Sequence, residues 1–211
     1  MRETRLLPET LPLFPLGGAI LLPGAQLPLN VFEPRYLNMV DDVRREGGHI
    51  GIIQIRDGGT PERPHLAPVG CAGRLEQFEE TRDGRYLINL VGVSRFRLAA
   101  EEDSAAPYRI ARPDYAPYRA DLQPPAELGG DRKRLVALLQ AWFSAEHIST
   151  DWAALTRAPL ADIVDQLAVG APFSASERQA MLEAEDAETR LLVMEETLAE
   201  RLAGSADGPL Q

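Results

Sequence analysis

The amino-acid sequence predicts an α+β protein, in which a β-rich first half with one inserted helix precedes a bundle of helices. Twelve of the 17 prolines lie in the first 120 residues, and proline is poorly tolerated inside helices. From residue 131 onward, apolar residues recur at the spacing of helix faces. We therefore predict a β domain over residues 1–118 and an acidic helical bundle over residues 119–211.

Seven short runs with partial apolar alternation predict the strands of the first half: 11–16, 25–31, 49–55, 73–80, 85–93, 95–102 and 108–115. Asp83-Gly84 lies between two of these runs and predicts a hairpin, because Asp-Gly readily supplies the positive φ angles of a type I′ turn. Many short strands at this spacing favour a barrel or folded sheet over a layered α/β domain.

One helix is expected inside this half, after the stretch NVFEPRY at residues 30–36. Pro34 suits the first helical position, because its missing N–H is not needed there and its φ is already set. The apolar face would follow, and Gly47-Gly48 would end the helix. This face is predicted to contain Tyr36, Leu37, Val40 and Val43.

The second half predicts helices separated by short breaks. Residues 116–130 resemble a linker, and Ser174 with Glu177 forms a capping-box pattern at the start of one helix. The acidic runs 183–188 and 195–196 are expected on a solvated face. Three apolar stripes mark the other helices: Leu135, Leu138, Leu139, Trp142 and Phe143; Leu160, Ile163, Val164 and Leu167; and Leu191, Met194, Leu198 and Leu202.

The net charge of −10 is unevenly distributed. Residues 1–120 carry 15 arginines and 16 acidic residues, whereas residues 121–211 carry 7 basic and 16 acidic residues. An acidic half repels phosphate backbones, which disfavours nucleic acid as a partner. Cys71 is the only cysteine, and the N-terminus lacks an apolar stretch of signal-peptide length, so we expect a cytoplasmic protein with no membrane partner.

The motifs of common enzymes are missing from the sequence. No G-x-x-x-x-G-K-[ST] loop or G-x-S-x-G elbow occurs, and three dispersed histidines form no zinc pattern, so no cofactor, metal or catalytic residue is predicted. Cys71 could be a nucleophile, but VGCAG is more typical of a small buried residue. A Ser–Lys dyad would have to use Lys133, the only lysine, among charges at a helix start.

The arginines of the first half lie beside apolar residues, which raises the question of what they do. Glu33 is a plausible partner for one of four: Arg35, Arg74, Arg95 and Arg97. A buried Arg–Glu pair loses several kcal/mol per ion to desolvation unless its geometry is good. We therefore interpret Glu33, Arg35 and Tyr36 as residues that fix the strand-to-helix junction, rather than as a reaction centre.

Two segments carry a resemblance to a known family. LPLFPLGGAILLPGAQLPLNVFEPRYLNMVDD (11–42) resembles the start of the Lon protease N-terminal domain, with P-L-F-P-L, a P-G turn, L-P-L and F-E-P-R-Y in order. The segment VGCAGRLEQFEETRDGRYLINLVGVSRFRL (69–98) is similar to the second signature of that family. The resemblance covers roughly residues 10–115 and implies a pseudobarrel related to the PUA fold, with helices packed beside it.

The resemblance also implies a function. The family's N-terminal domain recognises substrates, and this chain is similar to stand-alone Lon-domain proteins that lack the ATPase and peptidase modules. We expect a non-catalytic module that binds unfolded or exposed polypeptide segments, with a separate ATPase or protease as a candidate partner. About two of the five aromatic residues in the motifs are expected to be exposed: Phe14, Phe32, Tyr36, Phe78 and Phe96. A PUA-like RNA-binding protein and a cryptic hydrolase are the alternatives. Polypeptide binding or fold-keeping is expected of nine motif residues: Phe14, Phe32, Glu33, Arg35, Tyr36, Arg74, Phe78, Arg95 and Phe96.

Overall fold

The computed structural model describes residues 7–46, 48–124 and 127–206, with only the backbone at residues 205 and 206. The chain divides into two compact units, Met1–Gln123 and Pro124–Gln211. This division falls after Gln123 rather than after residue 118, because a 3-10 helix, Ala116–Leu122, is fastened to the first unit through Asp121. The predicted linker 116–130 is therefore helical over its first part.

The first unit is a six-stranded mixed sheet that closes on itself. The strand order is β2-β5-β4-β3-β1-β6, and an additional pairing between β5 and β6 completes the closure. β1 runs parallel to β3, whereas the other pairs are antiparallel. The strands are β1 Leu11–Leu16, β2 Gln26–Val31, β3 His49–Gly59, β4 Pro64–Glu80, β5 Tyr86–Glu102 and β6 Ile110–Asp114.

Two strands are longer than the sequence pattern predicts. The predicted strands 85–93 and 95–102 form the single strand β5, and β4 begins at Pro64 rather than at residue 73. Ser94, which separates the two predicted runs, is buried within β5, and its hydroxyl donates to the Arg95 carbonyl at 3.0 Å. Two residues earlier a preceding loop crosses the strand closely: Gly24 donates to the Gly92 carbonyl and Gly92 donates to the Ala25 carbonyl, both at 2.9 Å. β5 therefore pairs with β2 along residues 86–91 and with β6 along residues 97–102.

The hairpin at Asp83-Gly84 is confirmed, but the predicted type I′ turn is wrong. A type I′ turn needs a positive φ at both central residues, but only Gly84 has one, at +77°. Asp83 does not, since His147 is the one non-glycine residue with positive φ in the described part of the chain. Gly84 donates to the Thr81 carbonyl, and Thr81 donates to the Arg85 carbonyl. The loop between Thr81 and Arg85 thus has three residues, and such a loop needs only one left-handed position.

The interior of the first unit is filled by apolar side chains from five strands. Gly70 allows the Phe96 ring to approach β4, because a Cβ at this position would collide with that ring. Phe96 is fully buried at the centre of the cluster. Its buried neighbours are Leu11, Leu13, Ile53, Ala67, Ala72 and Ala111.

The inserted helix α1, Pro34–Glu46, is confirmed with Pro34 as its first residue. The Glu33 carbonyl accepts the first helical hydrogen bond, from the Leu37 N–H at 3.0 Å. Leu37 itself is only half-buried, and its predicted place on the buried face is taken by Met39. Gly48 donates to a carbonyl in the last turn of the helix, whereas Gly47 lies outside the described residues.

The second unit contains the predicted helices and one that the pattern missed. Asp131 and Asp151 cap α2 and α3, and the capping box of Ser174 with Glu177 at the start of α5 is confirmed. The missed helix is α3, whose six residues are too few for a periodic pattern. The helices are α2 Arg132–Ala145, α3 Trp152–Arg157, α4 Leu160–Gly170, α5 Ala175–Glu183 and α6 Ala187–Ala206.

The acidic runs of the second unit are mostly, but not entirely, solvent-exposed. The acidic residues of 183–188 are exposed as predicted. Glu195 contradicts the prediction, since it is buried and pairs with Arg134 at 3.1 Å. Trp142 and Phe173 stack at 4.9 Å between ring centroids and anchor the interior of this unit.

Candidate functional site

The strand-to-helix junction brings Glu33, Arg35 and Tyr36 together, but it uses them for structure. Glu33 Oε2 lies 2.8 Å from the Arg35 guanidinium, so the two charges satisfy each other. Tyr36 is buried against Phe14, with ring centroids 4.3 Å apart, and burial raises the pKa of its phenol. The carboxylate and the guanidinium therefore pair with each other, and the phenol ring packs on Phe14.

A polar groove of about 420 Å³ lies beside this junction. Five acidic residues and three arginines line it, and its centre is Glu101, which contacts Arg109 at 2.7 Å and Arg63 at 3.2 Å. The hydrogen bond from Arg109 holds the pKa of Glu101 below its usual value, against the opposing effect of burial. Arg109 also donates to the Pro64 carbonyl at 2.6 Å. The central charged groups are therefore occupied by one another.

A second surface, with exposed apolar side chains, lies along β2 and its neighbour β5, where β2 is the terminal strand of the sheet. Phe32, directly after β2, is 62% exposed, and Leu87 on β5 is 41% exposed. Leu87 is the register partner of Asn30, so these residues share the outer face that Phe32 extends two positions later. We call the surface formed by Phe32, Leu87, Pro28, Asn30 and Asn89 the edge face.

The free side of β2 borders the edge face. β2 ends the strand order, and within the described residues its strand pairing is to β5. A terminal strand presents backbone N–H and C=O groups to which a further strand can pair. Pro28 removes one donor from this row, and proline in a sheet is tolerated at such an edge. The edge face thus combines unpaired backbone with exposed apolar side chains.

Phe78 lies against the inserted helix. It is half-buried, with its ring 4.8 Å from that of Tyr86 and 3.5 Å from the Arg44 guanidinium of α1. Arg74 lies on the surface instead, where its half-exposed side chain pairs with Glu76 on its own strand.

Arg95 is the most deeply placed charge among the predicted residues. It donates to Asp121 through Nε at 3.0 Å, Nη2 at 2.9 Å and its backbone N–H at 2.9 Å. Its guanidinium also lies 4.5 Å from the centre of the Tyr118 ring. The pair fastens the 3-10 helix to β5. Asp121 was not predicted, because no local spacing links it to Arg95.

Of the five aromatic candidates, the structure exposes Phe32, leaves Phe78 half-buried and buries Phe14, Tyr36 and Phe96. We expected about two exposed rings. Leu87, on the edge face, was not predicted, although alternation along β5 contains the signal. Its neighbour Ile88 is buried, so Leu87 must point to the opposite side of the sheet.

The two residues considered as catalytic groups of a hydrolase, Cys71 and Lys133, differ in their exposure to solvent. Cys71 is fully buried, which keeps a substrate from its thiol, whereas Lys133 is exposed. Within residues 7–46, 48–124 and 127–206, no group of three or more His, Cys, Asp or Glu side chains could hold a metal ion. Across the same ranges, none of the helices has the length and apolarity required to cross a membrane.

Ion pairing neutralises much of the basic charge in the first unit. Residues 1–120 contain 15 arginines, of which the structure describes all but Arg2 and Arg5. Among the described ones, nine pair with carboxylates, which opposes the positive surface that RNA binding requires. These arginines are Arg35, Arg44, Arg45, Arg63, Arg74, Arg85, Arg95, Arg109 and Arg112.

Residues 10–200 match the family model described as the ATP-dependent protease La (LON) substrate-binding domain. The chain belongs to this family. A Lon N-terminal domain protein from Xanthomonas campestris superposes with a TM-score of 0.64 at 28% identity, over 90% of this chain and 97% of that one. The N-terminal domain of Lon protease from the Mycobacterium avium complex has the same fold, with a TM-score of 0.64 at 18% identity, over 90% and 98% of the two chains.

Full-length relatives in the LON family are much longer than this chain. Lon protease 2 from Sorangium cellulosum is 31% identical over 112 residues, which is 52% of this chain and 14% of that protein. Lon protease 2 from Myxococcus xanthus is 29% identical over 110 residues, 51% of this chain and 13% of that protein. The α+β architecture and the family resemblance predicted from the sequence are both confirmed.

Proposed function

We propose that this chain is a non-catalytic module that binds extended segments of unfolded polypeptide at the edge face. Membership of a substrate-binding domain family supports a protein ligand. We choose this surface because Phe32 is 62% exposed and lies beside the unpaired edge of β2. Exposed aromatic side chains that become buried on association often dominate binding energy.

Strand addition is the mode of binding that this surface favours. An extended segment pairing with the free side of β2 would gain backbone hydrogen bonds, and its alternate side chains would lie beside Phe32. Leu87 is on β5, two strand spacings or about 10 Å away, so only long side chains of the segment would reach it across β2. Backbone pairing is independent of sequence, which suits a module that accepts many unfolded chains. The polar groove at the junction is a weaker candidate, because its central charges already have partners.

We further propose that the bound segment is passed to a separate ATPase or protease. These 211 residues contain one lysine and no phosphate-binding loop, so they do not themselves provide a site for ATP-driven unfolding. The cytoplasm is the proposed location, in keeping with a single cysteine that stays a buried thiol.

The experiment compares matched surface variants in a binding titration. Fluorescence anisotropy would measure affinity for a labelled, reduced and carboxymethylated α-lactalbumin, which stays unfolded. Phe32→Ser and Leu87→Ser should each weaken binding by about five- to thirtyfold, corresponding to about 1–2 kcal/mol. Leu122→Ser is the matched control, since Leu122 belongs to the same unit, is 45% exposed and lies away from the edge face.

Two results would contradict the proposal. Unchanged affinity in both edge-face variants would remove the edge face as the binding surface. An equal loss in the Leu122→Ser control would indicate general stickiness rather than a site. Thermal unfolding of each variant should stay close to that of the unmodified chain, because exposed substitutions usually change stability by less than about 0.5 kcal/mol.

A further inference from the structure

The unpaired edge of β2 exposes a defined set of backbone groups. The Gly92 N–H donates to the Ala25 carbonyl at 2.9 Å, so Ala25 faces β5. Backbone groups along a strand point alternately to its two sides, and every second residue after Ala25 therefore also faces β5. The residues between them face the free side, and their side chains are exposed: Gln26, Pro28 and Asn30.

These three residues offer more acceptors than donors to an added strand. Each contributes a carbonyl, but only Gln26 and Asn30 contribute an N–H, because Pro28 has none. Within the part of the chain that the structure describes, the strand pairing of β2 is to β5, so no other described strand takes up these groups. The free edge therefore accepts at three alternating positions and donates at two.

The spacing of these groups fits another extended backbone. Groups on one side of a strand recur at every second residue, about 7 Å apart, and an added strand presents donors and acceptors at the same interval. A helix uses its own backbone groups internally and cannot supply them. The occupant that matches the edge is therefore an extended segment of polypeptide.

Charge contributes little to selection at this edge. Residues 11–32 and 86–94 contain β2 and the part of β5 that pairs with it, and neither range contains a charged residue. Glu79 on β4 lies two strand spacings, or about 10 Å, from β2. The charges that flank the two ranges are paired, Glu33 with Arg35 and Asp83 with Arg85. A segment at this edge must be selected by its backbone and by contact with Phe32.

We infer that β2 selects a bound segment by the free N–H groups along one edge of that segment, an inference that rests on polypeptide binding at the edge face. In an antiparallel arrangement, the first, third and fifth residues of the segment donate to the carbonyls of Asn30, Pro28 and Gln26. The substrates are unfolded stretches with three alternating N–H groups free on at least one edge. Stretches with proline or another N-substituted residue on both edges are rejected.

Pro28 favours such a segment over a second copy of this chain. In the symmetric antiparallel pairing of two β2 edges centred on Pro28, proline would face proline, and the central pair would form no hydrogen bond. A substrate residue other than proline at the same place donates to the Pro28 carbonyl. Edge prolines are one of the devices by which sheet proteins avoid edge-to-edge association.

Backbone N-methylation tests the inference, because it removes an N–H and keeps the side chain. The probe is a capped, fluorescein-labelled peptide of valine, threonine and one phenylalanine, titrated with the full 211-residue chain and followed by anisotropy. N-methyl groups at alternate residues block one edge, and either alternating set should change the affinity by less than about threefold. N-methylation of both sets should weaken binding at least about tenfold.

Two variants of β2 test the same groups from the protein side. Asn30→Pro removes an N–H from the free edge without removing a hydrogen bond to β5, whereas Asn30→Ala keeps the N–H and removes the same amide side chain. Asn30→Pro should bind the unmodified peptide at least about fivefold more weakly than Asn30→Ala. Thermal unfolding of both variants checks their folding, and the peptide series does not depend on it.

Equal affinity of the unmodified and the fully N-methylated peptides would overturn the inference, and so would equal affinity of Asn30→Pro and Asn30→Ala. If Phe32→Ser still weakens the unmodified peptide in that case, polypeptide binding at the edge face stands and only the selection by N–H groups fails. Binding of the unmodified peptide that Phe32→Ser leaves unchanged would remove both. A concentration-dependent dimer that the peptide dissociates would assign the edge to a second copy, and would also overturn the inference.

Discussion

Replacement of Asp121 by Asn tests the interpretation that a buried ion pair holds the end of the first unit. The Arg95 and Asp121 side chains are 3% and 8% exposed, and Asn would leave the guanidinium without a neutralising charge. Breaking a buried pair by removing one partner costs about 3–5 kcal/mol. An unfolding entropy of about 2.1 cal/mol/K per residue gives about 0.26 kcal/mol/K for Met1–Gln123. The melting temperature should therefore fall by about 12–19 °C.

The aromatic residues allow each unit to be followed separately. All five tyrosines lie in the first unit and both tryptophans lie in the second. Fluorescence excited at the tryptophan edge follows the second unit alone, whereas near-ultraviolet circular dichroism contains signals from both tyrosines and tryptophans. A circular-dichroism transition that the fluorescence does not show therefore belongs to the tyrosines of the first unit. Asp121→Asn should lower the tyrosine transition by the amount given above.

Two further variants separate this ion pair from a general effect of charge. Glu102→Gln removes the partner of Arg112, whose side chain is 69% exposed, and should cost no more than about 1 kcal/mol. The double substitution Arg95→Met with Asp121→Leu removes both charges and should recover much of the lost stability. A melting temperature for Asp121→Asn within about 4 °C of the unmodified chain would refute the reasoning, since that is the shift expected for an exposed pair.

Three more predictions concern a close approach and two titrations. Gly92→Ala should destabilise the first unit by at least about 2 kcal/mol in urea unfolding, because the new methyl group would overlap the Leu22 carbonyl. Gly17→Ala is the control, because its methyl group meets open space, whereas the positive φ of Gly84 makes Gly84→Ala unsuitable. A hydrogen bond from Arg201 is the main cause that lowers the pKa of Glu177 to about 2. The ionised Glu177 therefore stabilises the folded second unit fully above pH 4.5, and this stabilisation is lost as the pH falls towards 2. Glu177→Gln should flatten the acid dependence of stability followed by tryptophan fluorescence, and an unchanged dependence would contradict the assignment. Burial and then a carboxylate hydrogen bond raise the pKa of Tyr108 to about 12, so Tyr108→Phe should leave the phenolate absorbance at pH 10 nearly unchanged. Burial also raises the pKa of Tyr36, Tyr86 and Tyr115, so a Tyr108 that titrated normally would supply a large share of that absorbance, and its loss in the variant would be the opposite result.

The strand-to-helix junction could be predicted from sequence because its determinants are local. Pro34 fixes its own φ, and the carbonyl before it starts the helix regardless of the rest of the fold. The capping box of Ser174 with Glu177 was predictable for the same reason, as both hydrogen bonds join residues three apart. Local geometry also gave the hairpin, although the number of loop residues, and thus the turn type, depended on strand register.

The length of β4 and β5 could not be predicted, because both depend on contacts between distant segments. Pro64 and Pro68 lie in the first part of β4, and prolines do not predict a strand. The register of β4 against β3 also shifts between Ile53 and Ile55. The apparent break in β5 falls at Ser94, a polar residue that is fully buried and whose hydroxyl donates to the Arg95 carbonyl. The sequence shows the polar residue but not the hydrogen bond that satisfies it inside the strand.

The candidate site was only partly predictable for a related reason. Apolar alternation indicates which side chains share a face, but not which face another element covers. Phe14 and Phe32 are both aromatic residues in family motifs, yet α1 covers the first through Tyr36 and leaves the second exposed. Arg95 and Asp121 are separated by 26 positions, so their pairing required the fold itself.

The continuity of β5 ties the edge face mechanically to the closure of the barrel. One unbroken run of peptide units pairs with β2 over residues 86–91 and with β6 over residues 97–102, while β4 pairs with it over residues 86–97. A one-residue insertion on either side of Gly92 would move the side chains beyond it to the opposite face of the sheet unless a β-bulge absorbed the extra residue, as the register shifts already present in these ladders do. A segment paired with β2 and pulled along the strand direction would place the hydrogen bonds between the strands in shear. The force would then be shared by many hydrogen bonds at once.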